Sequence, residues 1–154
     1  MRAKGDPVVF LGYWRNEAAT AEKVRDGWLH TGDLAEVDDE GYYRFVGRTD
    51  DLITSAGHRI GPGEIEDCLI RHPAVTLAAV IGIPDDLRGE AIKAFVVASS
   101  PSEALAAELK ALVRERLAAY EVPREIEFVN QLPLTTSGKI RRNELRRREA
   151  PRRA

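Results

Sequence analysis

The sequence predicts an α+β protein in which a strand-rich first part is followed by a small domain of alternating strands and helices. Two apolar runs, residues 76–83 and 92–98, are near-continuous and have strand length, so we expect strands that are buried on both faces. A helical stripe over residues 103–119 follows them. Before residue 50, short apolar runs are instead separated by turn residues. Elements in this order pack as a short sheet flanked by helices.

The first part of the chain is expected to hold a short helix and a hairpin. It begins with an apolar run, Val8–Leu11, after which Asn16 is placed to cap a brief helix. Leu34–Val37 and Tyr42–Val46 then flank a polar four-residue link that ends in Gly41. Two strand-like segments around a link of this kind predict a β-hairpin.

The periodicity changes near Asp50, where we expect a domain boundary. Just beyond it, residues 52–55 and 58–60 predict a tight strand pair around Ala56 and Gly57.

Two helices and a further strand are predicted after this pair. The first helix begins at Pro62, because proline suits the first turn, and ends before Pro73. Its buried face is expected to contain Ile65, Cys68, Leu69 and His72. The second helix, over residues 103–119, is expected to bury Leu105, Leu109, Leu112 and Leu117. Residues 126–129 form a strand, so the order is β-α-β-β-α-β.

Composition limits the class of protein. The chain has 154 residues, 44% of them hydrophobic and 31% charged, as in ordinary globular domains. It has no apolar run of about 18 residues, and no apolar stretch follows its first basic residues. We therefore expect no membrane span, no secretory leader and a cytoplasmic location. The single cysteine, Cys68, excludes an internal disulfide and any metal site built on a cysteine pair.

The net charge of −2 conceals an asymmetry along the chain. Residues 1–120 contain 14 basic and 20 acidic residues, whereas residues 121–154 contain 9 and 5. A basic end favours an anionic partner such as a nucleic acid, a nucleotide or a phosphorylated cofactor. The segment 139–154 has no aromatic residue for base stacking, and Glu144 and Leu145 fit an amphipathic terminal helix. We therefore expect no nucleic-acid partner.

The most distinctive segment is the polar loop Leu132–Arg141, which carries Lys139. Its Thr-Thr-Ser-Gly run cannot build a core, so we expect the loop to be exposed and mobile. It is not a Walker A loop, because that motif needs Ser or Thr after the lysine and this chain has Ile140. From residue type alone, Lys139 is either a solvated surface lysine or a group that enters a site on another domain and stabilises negative charge there.

A second candidate is Asp33, which ends the turn Thr31-Gly32-Asp33. It is either a turn-capping carboxylate or a ligand for ribose hydroxyls. His30 lies three residues earlier, but no serine or cysteine is placed by local sequence to complete a catalytic triad.

Four distinctive segments occur in a fixed order: Gly27–Asp33, Gly47–Ile60, Gly63–Glu66 and Pro133–Arg141. Together they resemble the late motifs of the superfamily of acyl- and aryl-CoA synthetases, adenylation domains and luciferases. Within it, residues 55–62 and 88–97 resemble the short- and medium-chain acyl-CoA synthetase branch. Peptide-synthetase adenylation domains more often have an acid where this chain has Gly61.

The resemblance implies a two-step ligase reaction. A carboxylic acid and Mg-ATP form an acyl-adenylate with loss of pyrophosphate, and the CoA thiol then displaces AMP. Lys139 matches the lysine that bridges the carboxylate and the phosphate during adenylation. The nucleotide-binding residues implied are Asp33 and Arg48 at the ribose and Arg59 at the phosphate.

The resemblance implies further roles for residues of the second part. Asp50 matches the hinge about which the small domain reorients between the two half-reactions. Gly57 matches the glycine that leaves room for the pantetheine arm of CoA, and Arg114 falls on a basic position that contacts CoA. A magnesium ion is held in related enzymes at the place of Ile70, His72 and Val75.

The domain organisation follows from the same resemblance. Residues 1–49 correspond to the β-rich end of a large AMP-binding domain, residues 50–147 to a mobile C-terminal lid domain, and residues 148–154 to a basic tail. The family's phosphate loop, adenine-binding segment and acyl pocket belong to a large amino-terminal domain that this sequence lacks. We therefore expect the chain to be the C-terminal part of a synthetase and to form no acyl-adenylate alone.

Other functions stay open from the sequence. They are a free-standing nucleotide- or CoA-binding protein, a subunit that complements a separate large subunit, an adenylation domain acting on a carrier protein, and an unrelated basic-tailed binding module.

Overall fold

The computed structural model describes residues 11–150, which fall into two compact units that divide between Phe45 and Val46. The division lies just before Asp50, and the hinge role of that residue stays a prediction. Every helix among the described residues is too short or too polar to span a membrane.

Among its described residues, the first unit contains one helix and two small hairpins. Helix α1 is Glu17–Lys23, and Asn16 caps it as predicted, with its side chain accepting a hydrogen bond from the Ala19 amide at 3.0 Å. Strands β1 (Val24–Arg25) and β2 (Trp28–Leu29) pair antiparallel, a hairpin that the apolar pattern does not indicate because each strand has only two residues. Residues 8–10 of the predicted apolar run lie outside the described residues.

The predicted hairpin is confirmed. Its strands are β3 (Asp33–Val37) and β4 (Tyr43–Arg48). The Asp38 carboxylate accepts hydrogen bonds from the amides of Glu40 at 3.0 Å and Tyr42 at 2.8 Å, which fixes the link.

The second unit is built on a five-stranded sheet. Its strands are β5 (Ile53–Ser55), β6 (His58–Ile60), β7 (Val75–Asp85), β8 (Gly89–Ala98) and β9 (Glu125–Phe128). The order is β6-β5-β8-β7, and β9 pairs with β8 in parallel while the other pairs are antiparallel. β7 and β8 form a long hairpin whose side chains are mostly buried, so the two predicted buried strands are confirmed.

Helices cover both faces of this sheet, which confirms the predicted α+β class. α2 (Pro62–Leu69) and α3 (Glu103–Arg116) pack with one set of alternating strand residues, exemplified by Val80 and Ala94. α4 (Arg142–Glu149) packs with the other set, and its Leu145 lies against the cluster that includes Ile81 and Phe95. The alternation of a strand therefore assigns neighbouring residues to different helical layers.

The ends of two helices differ from the prediction. α2 ends at Leu69, so His72 lies in the turn after the helix and not on its buried face. Pro73 accounts for this, because a residue that precedes proline disfavours the helical conformation. α3 ends at Arg116, and Leu117 is its extended C-cap, half-buried beside the core. Cys68 is buried, as expected of a core residue.

The end of the chain is helical up to Glu149. The position where the basic tail was expected to begin, residue 148, therefore lies inside α4. Residues 151–154 lie outside the described residues.

Candidate functional site

Lys139 lies in a tight turn that backbone hydrogen bonds brace on both sides. The Thr135 amide donates to the Lys139 carbonyl at 2.8 Å, and the Gly138 amide donates to the Thr135 carbonyl at 3.0 Å. The Lys139 amide in turn donates to Thr135 Oγ1 at 3.0 Å. An isolated bridge between Leu134 and Ile140 closes the base.

The side chain of Lys139 is exposed, as predicted, and forms no ion pair with another described residue. The stem of the turn is anchored differently, because Leu132 is buried and Ile140 packs against the same apolar cluster. The structure therefore presents an ammonium group to solvent from a well-supported base.

The second predicted site residue, Gly57, occupies the turn between β5 and β6. Ala56 and Gly57 both have positive φ angles, 49° and 84°, as a two-residue hairpin turn requires. A Cβ at Gly57 would meet no atom of this chain within 4 Å. The space beside Gly57 is thus open on the side of this chain, and its predicted role at the pantetheine arm of CoA stays a prediction.

A cavity of about 180 Å³ adjoins this turn. It is lined by Ser55, Ala56, Arg88, Tyr120 and Arg124, among others. The Tyr120 ring stacks on His58, with ring centres 3.9 Å apart and planes 5° from parallel. The lining thus combines two basic residues with an aromatic residue, although Arg88 Nη1 also lies 3.6 Å from Asp85 Oδ1. This composition suits an anionic, phosphorylated ligand.

Sequence reasoning missed Arg88, Tyr120 and Arg124 as site residues. Arg88 is carried to the turn because its carbonyl accepts a hydrogen bond from the Ala56 amide at 2.9 Å. A signal was available, because Arg88 opens one of the segments that resemble acyl-CoA synthetases. Arg114, by contrast, lies exposed on α3 and does not line this cavity.

The predicted nucleotide-binding residues lie on strands, two of them exposed and Arg48 half-buried. Arg59 is exposed on β6, opposite Thr54 of β5. Arg48 ends β4, and its Nε lies 3.3 Å from Oδ1 of Asp50, the predicted hinge. Asp33 is exposed at the start of β3 in the first unit, where its amide donates to Thr31 Oγ1 at 3.2 Å. All three roles stay predictions.

The predicted magnesium position is a turn held by its own backbone. The His72 carbonyl accepts a hydrogen bond from the Val75 amide at 2.9 Å, and His72 Nδ1 accepts one from the Ala74 amide at 3.2 Å. Ile70 and Val75 have no side-chain ligand atoms, so only carbonyl groups are available there. Within residues 11–150, no three His, Cys, Asp or Glu side chains come together as a metal-binding set. The side chains present do not fit a dedicated magnesium site.

Charged side chains that the sequence did not single out form two clusters around α4. Lys93 on β8 is 5% exposed, and its Nζ lies 2.8 Å from Glu127 and 3.0 Å from Glu149. Burial lowers the pKa of Lys93, but the hydrogen bonds to these two glutamates more than offset it and leave the pKa raised.

In the second cluster, Arg142 of α4 pairs with Asp51 and Glu66. Burial raises the pKa of Glu66, although Arg142 opposes the shift.

Comparison with known proteins identifies the family of the segment that leads up to Lys139. Residues 64–139 match the model of the AMP-binding enzyme C-terminal domain, a match that ends on Lys139. This segment is an AMP-binding enzyme C-terminal domain.

Three relatives of this chain are CoA ligases or synthetases by name. The 4-hydroxybutyrate–CoA ligase 1 of Metallosphaera sedula is 49% identical over 148 residues, which cover 94% of this chain and 26% of the relative. Feruloyl-CoA synthase of Amycolatopsis sp is 49% identical, covering 92% of this chain and 29% of the relative. Acyl-coenzyme A synthetase ACSM4, mitochondrial, of Mus musculus is 47% identical over 97% of this chain and 27% of the relative.

Solved structures agree with these relatives. The anthranilate CoA ligase AuaEII in complex with anthranoyl-AMP matches with a TM-score of 0.84 and 42% identity, over 94% of this chain and 28% of that one. The chain thus spans about a quarter of the length of the ligases that it matches.

Proposed function

We propose that this chain works as the lid part of an AMP-forming acyl-CoA ligase, which joins a small carboxylic acid to CoA at the expense of ATP. The observation that carries the proposal is Lys139, an exposed lysine on a braced turn at the end of the family match. The names of the relatives, all of them CoA ligases or synthetases, support the reaction class.

In the first half-reaction, a carboxylate oxygen attacks the α-phosphorus of ATP and pyrophosphate leaves. Negative charge is concentrated between the two reacting groups, and a positioned ammonium group stabilises it. Lys139 meets this need because its side chain is exposed and its backbone is fixed. Arg59 is assigned to the phosphate, Arg48 and Asp33 to the ribose. Magnesium accompanies ATP as the counter-ion of its phosphates.

In the second half-reaction, the CoA thiol attacks the acyl carbon and AMP leaves. We assign the cavity beside Gly57 to CoA, with Arg88 and Arg124 facing its phosphates and Tyr120 its adenine ring. Arg114 does not line this cavity, so we assign it to a basic contact with CoA outside the cavity. Between the two half-reactions the small domain reorients about Asp50. The surface that carries Gly57 then takes the place of the surface that carries Lys139 at the active site.

The proposal requires a partner region that carries the remaining nucleotide and acyl sites. Exposed aromatic side chains of the first unit support it: Tyr43 is 78% exposed and Phe45 64%. These two residues lie on the same face of β4 and suit coverage by a further domain. The cytoplasm is the location we propose, from the single cysteine, while the ACSM4 relative is named as mitochondrial.

A carrier protein in place of CoA is the second candidate function. Gly61 favours CoA, because a Cβ there would lie 2.7 Å from the Val46 carbonyl oxygen, so this backbone does not accept the acid common in carrier-dependent enzymes.

A segment exchange tests the proposal. The corresponding segment of the Amycolatopsis feruloyl-CoA synthase is replaced by this chain, and feruloyl-CoA formation from ferulate, ATP and CoA is measured. We expect an active hybrid whose activity is lost in Lys139→Ala, and no activity from this chain alone. A folded hybrid without activity, or acyl-adenylate formation by the isolated chain, would contradict the proposal.

A further inference from the structure

Helix α4 is bound to the residue that directly follows the predicted hinge. Asp51 accepts a hydrogen bond from Arg142 Nη1 at 3.1 Å on one carboxylate oxygen and from Arg146 Nη1 at 3.2 Å on the other. The Asp51 side chain is only 17% exposed. Its backbone is fixed too, because its amide donates to the Arg48 carbonyl at 3.1 Å. Arg142 and Asp51 are 91 residues apart in the sequence.

The same arginine reaches the opposite helical layer. Arg142 Nε and Nη2 donate to the two oxygens of Glu66 on α2, at 3.2 Å and 2.5 Å. Glu66 also accepts a hydrogen bond from the Val80 amide of β7 at 2.7 Å, so it occupies a donor on the outer strand of the sheet. A guanidinium group that binds two carboxylates at once fixes the direction of its own backbone, because its fork is planar and rigid.

This arginine has particular leverage on the Lys139 turn. It is the first residue of α4, three positions after Lys139. The start of α4 has no side-chain cap, so its orientation is not fixed by the usual local hydrogen bond. The side chain of Arg142 supplies the anchor from a distance instead.

We propose that the Asp51–Arg142–Glu66 cluster couples the segment after the predicted hinge to the Lys139 turn, so that the two carboxylates set the position of the turn through the backbone of α4. Arg142 and Asp51 are thus positioning residues that act through the backbone of α4. The inference rests on the proposed function for the meaning of the hinge and of Lys139, but the coupling itself is a property of this chain without substrates.

The test measures amide hydrogen exchange by NMR in the complete chain. The reporters are the hydrogen-bonded amides of Thr135, Gly138, Lys139 and Arg141. Asp51→Ala removes the hydrogen bonds that Asp51 accepts from α4 and leaves the Arg142–Glu66 pair intact, so the fold should persist. We expect these four amides to exchange about tenfold faster, the effect of losing a charge-assisted hydrogen bond.

Two further variants make the result specific. Asp51→Asn keeps the size and an acceptor oxygen, so it should restore part of the protection. Arg148→Met removes the ion pair between Arg148 and Glu144, both on α4, and it should leave the turn unchanged. Amides of β7 and β8 report global opening.

Faster exchange confined to the turn, with unchanged β7 and β8, supports the coupling. Unchanged turn amides in Asp51→Ala, or an increase equal to that of β7 and β8, overturn it. Because no substrate is used, this outcome is independent of whether the ligase activity is found.

Discussion

Lys93 Nζ lies 3.0 Å from Glu149 Oε2, so the central strand of the sheet holds the last turn of the last described helix by an ion pair. The lysine side chain is 5% exposed and that of Glu149 11%. A buried lysine of this kind must keep its partners, because an unpaired charge away from water is costly.

Lys93→Met is expected to lower the free energy of unfolding by about 2 kcal/mol, since it leaves Glu149 buried without its cation. Urea denaturation measures this. Lys139→Met is the matched control, because the same change at an exposed lysine should stay within about 0.5 kcal/mol. Equal effects at the two positions would show that burial of Lys93 is not the cause.

The free energy of unfolding is expected to depend on pH through the ionisation of Glu66. Burial raises the pKa of this carboxyl above its ordinary value of 4.5, so the folded state holds its proton more tightly than the unfolded state does. The stability that Glu66 contributes is therefore present below pH 4.5 and declines as the pH rises from there through the raised pKa.

Denaturation of the wild type and of Glu66→Gln across this range measures the effect. The stability difference, wild type minus variant, should fall as the pH rises, because glutamine does not titrate. Asp85→Asn should show the opposite slope. Burial opposes ionisation of Asp85, but hydrogen bonds from the Arg88 and Leu87 amides lower its pKa below 3.8, so its contribution is lost as the pH falls. Parallel slopes for the two variants would refute the assignment.

Gly61→Ala is expected to destabilise the second unit. Its Cβ would lie 2.7 Å from the Val46 carbonyl oxygen, and backbone must move to relieve the contact, at a cost of about 1–3 kcal/mol. Gly63→Ala is the control, because the added methyl meets nothing within 4 Å and lies inside α2, where alanine is favoured by about 1 kcal/mol. Thermal unfolding should shift in opposite directions for the two variants.

Arg88→Met is expected to weaken CoA binding about tenfold, because a charged hydrogen bond to phosphate is lost. Isothermal titration of the chain, or of the active hybrid, with CoA measures this. Arg71→Met removes a basic residue that lines a different pocket, together with Cys68, and should leave the affinity unchanged. Equal losses would indicate a general charge effect in place of a site.

Lys139→Ala in a complete ligase is expected to slow adenylation several hundred-fold, since one ion pair at about 4 Å is worth about 4 kcal/mol at an effective dielectric constant near 20. Thioester formation from supplied acyl-adenylate should be spared. Pyrophosphate exchange and CoA-dependent release of AMP measure the two half-reactions separately. A similar loss in both would contradict the division of roles.

Much of the fold could be predicted because its signals are local. The buried strands β7 and β8 appear as apolar runs, Asn16 and Pro62 mark helix starts, and Ala56-Gly57 marks a turn whose conformation few other residue pairs adopt. The end of α2 differs from the prediction, because the apolar periodicity continues to His72 whereas Pro73 restricts the backbone that precedes it.

The sequence by itself determined the order of the main strands and helices of the second unit, the exposure of Lys139 and the family to which residues 64–139 belong. Only the tertiary structure decided which charges meet. Arg142 pairs with Glu66, 76 residues earlier, and Lys93 pairs with Glu149. Arg88 and Tyr120 line the same cavity beside the turn that contains Gly57. Residue spacing records which side chains share a face, but pairing across a sheet and between helical layers depends on register and packing, which no local pattern contains.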